Sequence, residues 1–330
     1  PDHAARGLPA ARAYSKIAPA AGHAQHMCSH IFIAMGMWDD MVGANETALS
    51  LVNAVFAERH LPPAACGHYP EWLEYGYLEP GRARDARKLL VACYENAKAA
   101  GGRMADSAAK PRPTDKFILL SFVGMRLRYL FDTEDWSDES LKWTVGTEVD
   151  HQMDVADAFI KGYAAVKTGH RADAEAELKR LKEARARLDA ELAKLPDGNG
   201  MKTHERGWAS ICEMELSALV QMAAGDVATP IAQLRQAATI EEQLPYEFGP
   251  PFIDKPTYEA LGEALLAANQ PADARAAFEK ALARTPGRTT ALVGLMRAAE
   301  KSGDKQKAAE VKAQLRAIWS HADRLPTDWQ

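Results

Sequence analysis

The chain is predicted to be all-α, a superhelix of stacked helix-turn-helix pairs. Three observations predict it. No segment of useful length alternates apolar and polar residues with a period of two, whereas apolar residues recur at helical spacing along almost the whole chain. The same punctuation then repeats: an apolar helical run, a short break, and an Ala-rich amphipathic run. The breaks themselves are turn formers, at Pro80-Gly81-Arg82, Gly169-His170-Arg171, Gly225-Asp226, Asn269-Gln270-Pro271 and Gly303-Asp304.

The elements follow in order. Residues 4–17 carry Leu8, Ala11, Tyr14 and Ile17 on one helical face, and Pro19 ends that helix. A pair runs over about 21–35 and 38–59, broken at Gly36 and closed by Pro62-Pro63. The next pair is His68–Leu78, rich in Tyr and Trp, with Arg82–Lys98. Residues 100–114 are rich in Gly, Pro, Ala and Ser and read as a surface loop. Residues 117–131 are strongly apolar and read as a buried helix, and 132–148 as irregular. Further pairs are 151–168 with 171–194, 201–224 with 227–243, 256–268 with 271–284, and 289–302 with 305–320. Glu175–Lys179 and Glu183–Arg187 give the second helix of the third pair a solvated face. Gly262, Ala264, Ala281 and Ala298 are small enough for close helix crossings. The last two breaks are spaced close to the roughly 34 residues of a tetratricopeptide unit. The expected organisation is 1–99 as N-terminal repeats, 100–148 as an irregular segment with one buried helix, and 149–330 as C-terminal repeats, all in one continuous solenoid.

Composition excludes several partners. The net charge is -5 and the sequence pI about 6.1. A nucleic-acid or anionic-membrane partner would need a basic stripe. No run of 18 apolar residues exists, so no transmembrane segment is expected in this stretch. The four cysteines, Cys28, Cys66, Cys93 and Cys212, share no CxxC spacing. Cys93 and Cys212 read as buried small hydrophobes, and no disulfide pairing can be assigned from spacing. Nucleotide-binding and hydrolase fingerprints are absent, and His204-Glu205 lacks the second His of a zincin, so the reading leans away from an enzyme.

Two polar groups stand out. His23, His26 and His30 are spaced i, i+3 and i+7, so they share a helical face, with His26 and His30 roughly 6 Å apart. Imidazoles at i and i+4 can grip one divalent metal. His68 and Glu71 begin the next first helix, and first helices of such stacks line the concave groove. His26, His30, His68 and Glu71 are therefore expected to converge. The second group spans 241–259, where Tyr246, Lys255 and Glu259 are candidates to line a pocket beside the rigid Gly249-Pro250-Pro251 crossing. Trp38 and Trp72 read as packing residues.

The phrase His23-Ala24-Gln25-His26-Met27-Cys28-Ser29-His30-Ile31-Phe32, preceded by Ala18-Pro19 and followed by Gly36 and Trp38, is distinctive. With the run His68 to Glu79, the stretch from Ala237 to Gly262, and Pro286, Arg288, Gly294, Arg297 and Gly303-Asp304, it resembles a bacterial family of tetratricopeptide-repeat proteins. That family carries the phrases HAxHMPSHIF, HALDYLVYAYLQ and TPGPxxPAxExLG. The resemblance implies a bacterial protein, exported to the periplasm or outside the cell, whose relatives extend further at the N-terminus. It carries no reaction with it. The departure is Cys28, where the family has proline; it adds a thiol to the histidines.

The expected function is a binding scaffold that holds a peptide, a protein segment or a small ligand in a groove lined by His23, His26, His30, His68 and Glu71, with Tyr246, Lys255 and Glu259. The rival is a metal-binding protein or metal-dependent enzyme, with zinc or copper on His26, His30 and His68 and Glu71 as fourth ligand or base.

Overall fold

The computed structural model describes residues 3–325, apart from 107, 109, 147–149, 197 and 246–248. Helices are the regular structure throughout: α1 (Ala4–Ile17), α2 (Gly22–Ala34), α3 (Trp38–Glu58), α4 (His68–Leu78), α5 (Ala83–Ala105), α6 (Asp115–Thr133) and α7 (His151–Lys167). They continue as α8 (Arg171–Leu192), α9 (Gly200–Ala223), α10 (Ala228–Gln243), α11 (Thr257–Ala267), α12 (Pro271–Arg284), α13 (Thr289–Ser302) and α14 (Lys305–Ile318). Successive helices pack against one another, and contacts of α4 with α6, α7 with α9, α9 with α11 and α11 with α13 join the pairs into a stack. This is an all-α helical-repeat superhelix.

The breaks lie between helices as their chemistry dictates. Gly303 caps α13 in the left-handed region, at φ 79°, where a Cβ would be strained. Asp304 then accepts from the Lys307 amide at the start of α14. Close crossings fall at the small residues. A Cβ added at Gly262 or Gly294 would stand 2.6 or 2.2 Å from the ring of Phe278, so the two glycines let α11 and α13 clasp that ring.

Two expectations are corrected. Residues 100–105 are not loop but the last turns of α5. Gly101 sits there because a Cβ would lie 2.1 Å from the carbonyl oxygen of Val145, so the glycine marks a close approach and not a break. The solvated-face pairs also differ: Glu175 pairs with Arg171, and Arg187 reaches Asp154 of α7.

The superhelix curls until its ends meet. The Trp38 indole N–H donates to the Gly287 carbonyl at 3.0 Å, and that of Trp319 to the Glu79 carbonyl at 3.0 Å. Between them lies Arg288, 2% exposed. Its guanidinium donates to Glu259 at 2.6 Å, Glu79 at 2.9 Å and Asp132 at 2.6 Å, drawing α4, α6, α11 and α13 to one point. Glu79 also accepts from the Thr289 amide and hydroxyl, and Glu259 from Thr290. Burial pushes the Glu79 carboxyl up despite Arg288. Arg324 pairs with Asp135 at 2.7 Å outside this knot. The concave side is therefore drawn together along this seam into a chamber.

Candidate functional site

Three imidazoles meet on the chamber wall. His26 and His30 lie one turn apart on α2, and His68 opens α4. One ring nitrogen from each of the three lies within 4.8 Å of the others. The ring centres are 5.1 Å apart for His26 and His30, and 4.4 Å for His26 and His68. Trp72 packs against all three, at 4.4 to 5.5 Å between centres. A tetrahedral metal with metal–nitrogen bonds of about 2.1 Å spaces its ligands roughly 3.4 Å apart, so modest side-chain rotation would complete the set.

The local chain explains why the rings face one another. Gly67 adopts φ 97°, and its N–H donates to Ser121 at 2.7 Å, which starts α4 with His68 turned toward α2. Cys66, one residue earlier, is bridged to Cys93 of α5. Cys93 is thus half of a disulfide and not the free buried thiol its surroundings suggested; Cys212 is free and buried. On α2, Gln25 donates to the Ser15 and Ala18 carbonyls and pins the helix start to α1.

His26 is the most constrained of the three. It is fully buried, and its Nδ1 lies 2.8 Å from Asn45 Oδ1. The Asn45 amide nitrogen donates to the Met41 carbonyl at 2.9 Å, which fixes the amide orientation. The Asn45 oxygen is then an acceptor, so His26 carries its proton on Nδ1 and leaves a lone pair on Nε2. That Nε2 is buried without a hydrogen-bond partner in the protein. Burial lowers the His26 pKa to about 4, against the help of Asn45, and the neighbouring histidines lower it further. His68 is lowered also, by burial first, with Glu71 opposing.

The site opens into a cavity of about 520 Å³. His30, His68, Glu71 and Trp72 line one part, and Trp208, Arg128 and Asp254 are also in its wall. The Gly249-Pro250-Pro251 crossing lies directly on Trp72: a Cβ at Gly249 would stand 2.7 Å from the indole. The two polar regions of the sequence are thereby brought together, through the Gly249-Pro250-Pro251 crossing and Asp254 and not through Lys255 or Glu259. Lys255 is buried in an ion pair with Glu263 and lines a second cavity of about 250 Å³, and Glu259 belongs to the Arg288 knot. Tyr246 lies outside the described residues. His23 is exposed, its ring centre 6.3 Å from that of His26. The Cys28 thiol turns away, onto the Ala11 carbonyl at 3.1 Å, and burial raises its pKa, so it adds no thiolate to the histidines.

Asn45 and Arg128 escaped sequence reasoning, whereas Asp254 belonged to the 241–259 polar group. Asn45 had one legible signal, a polar residue among the apolar Met41, Val42, Ala48 and Leu49 of α3. Arg128 had none beyond its charge.

Comparison with known proteins bears on the C-terminal end. A family model described as tetratricopeptide repeat matches residues 265–318, from the end of α11 through α14. No curated protein matches the chain. The class is thus a helical-repeat protein containing tetratricopeptide repeat, an architecture that generally mediates protein interactions and supports a binding scaffold. Among the described residues no helix is long and apolar enough to cross a membrane.

Proposed function

We propose that the protein is a binding scaffold whose concave chamber holds a divalent transition metal, zinc or copper, on His26, His30 and His68, beside a cavity that admits a small ligand. The observation that carries this reading is the buried, unpartnered Nε2 of His26, held in the neutral tautomer by Asn45 with two more imidazoles within reach. A hydrogen-bonded second nitrogen is the usual support of a metal-ligating histidine. An all-imidazole set suits zinc or copper, and leaves a coordination position toward the cavity. Glu71, one turn beyond His68, is the candidate fourth ligand. A peptide or protein partner is supported by the repeat match at 265–318. The Cys66–Cys93 bridge and the family resemblance support a bacterial, exported protein, because such bridges persist in oxidising compartments.

Titration calorimetry with Zn²⁺ on protein without a histidine tag tests the reading. One ion per chain is expected, lost in His26→Ala and in His68→Ala. No binding, or binding indifferent to both substitutions, would overturn it.

A further inference from the structure

Arg128 of α6 lines the same cavity as His30 and His68. It is 8% exposed, and its Nε and Nη1 have no hydrogen-bond acceptor in the protein. The carboxylates beside it stand off, Glu74 at 3.8 Å and Asp254 at 3.7 Å. A buried guanidinium whose donors lack acceptors is costly, and a carboxylate is an acceptor that suits it. Neither flanking acid is a full counter-charge. Burial holds the Glu74 carboxyl well above the usual range and pushes Asp254 up to about 7, in each case against Arg128. The remaining acid of the cavity wall, Glu71, makes no hydrogen bond to Arg128 and adds only a longer-range charge to it. The other lining is largely aromatic and apolar: Trp72, Trp208, Phe117, Phe252 and Leu127.

We infer that the cavity takes a small aromatic or apolar carboxylate, its carboxylate docked on Arg128 and its body packed among Trp72, Trp208, Phe117 and Phe252. This rests on the reading of the chamber as a small-ligand site, and the metal adds to it a second positive centre. The shape follows the general pattern of ligand cavities, apolar walls with a few convergent polar groups.

The probe is phenylacetate, followed by calorimetry on the full chain with and without Zn²⁺, against phenethylamine as the matched cation. Phenylacetate is expected to bind one per chain and phenethylamine not to bind. Arg128→Gln is expected to weaken phenylacetate roughly 10- to 100-fold, and Arg128→Lys to restore part of the loss. Because Arg128 also sits between Glu74 and Asp254, the glutamine variant risks misfolding, so a second variant fills the cavity and leaves the arginine alone. A Cβ at Gly124 meets nothing within 4 Å, and Gly124 lines the cavity. Gly124→Phe is expected to abolish phenylacetate binding with the unfolding midpoint retained. Equal or tighter binding of phenethylamine, unchanged affinity in a folded Arg128→Gln, or normal binding in Gly124→Phe would each overturn the inference. Zn²⁺ titration of the same samples separates the two claims. Arg128-dependent phenylacetate binding without zinc binding overturns the metal reading alone, and zinc binding without phenylacetate binding overturns the carboxylate alone.

Discussion

His26 shows how one side chain can be prepared for a ligand before the ligand arrives. Its burial removes the proton that would compete with a metal, and Asn45 decides which nitrogen is left free. Truncating Asn45 removes the tautomer control without touching a ligand. Asn45→Ala is therefore expected to weaken Zn²⁺ binding about 10- to 100-fold, read by competition with a chelating dye. The histidines were legible in sequence because helical spacing fixes a shared face, and because His68 opens the next first helix. Asn45 was not, since nothing in the order of residues says that position 45 of one helix meets position 26 of another. The 241–259 group was legible only in part. Lys255 and Glu259 line cavities, but in a different part of the fold from the histidines and inside buried ion pairs, which charge alone does not announce.

Among the elements, α6 and α7 are joined by a buried charge cluster. Asp157 of α7 accepts from Arg126 at 2.7 Å and from Arg180 of α8 at 2.6 Å, with Lys161 at 2.8 Å. Burial alone would raise Asp157, but Arg126 and its neighbours outweigh it and hold the carboxyl at about 2. Its folded pKa is below the unfolded value, so its stabilisation is complete above about pH 4 and is lost as pH falls through about 2. Asp157→Asn strands Arg126 and is expected to cost about 3–5 kcal/mol in urea unfolding at pH 7. Its stability curve should also be flatter than the wild type between about pH 4 and 2. The helices were largely readable because apolar periodicity and Gly or Asn breaks report local preference. The exception, the end of α5, failed because Gly101 was read for its backbone freedom. Its actual role is steric, making room for the Val145 carbonyl.

For the whole molecule, closure is the feature that turns repeats into a chamber. Arg288, Glu79, Asp132 and Glu259 come from four inner segments distant in sequence, so no local pattern announces them. Replacing Arg288 leaves three carboxylates facing one another in a dry seam. Arg288→Ala is expected to cost about 3–5 kcal/mol and to enlarge the radius of gyration seen by small-angle scattering. Unchanged dimensions would mean that the indole contacts of Trp38 and Trp319 hold the seam alone. The chamber matters because its wall brings the three imidazoles together, His26 buried, His30 half-buried and His68 exposed. The most direct test of that centre is anomalous diffraction at the zinc edge from crystals grown with one equivalent of Zn²⁺. The account predicts a single strong peak about 2.1 Å from a nitrogen of each of His26, His30 and His68. A map with no peak there, or with zinc only on surface residues, would contradict it.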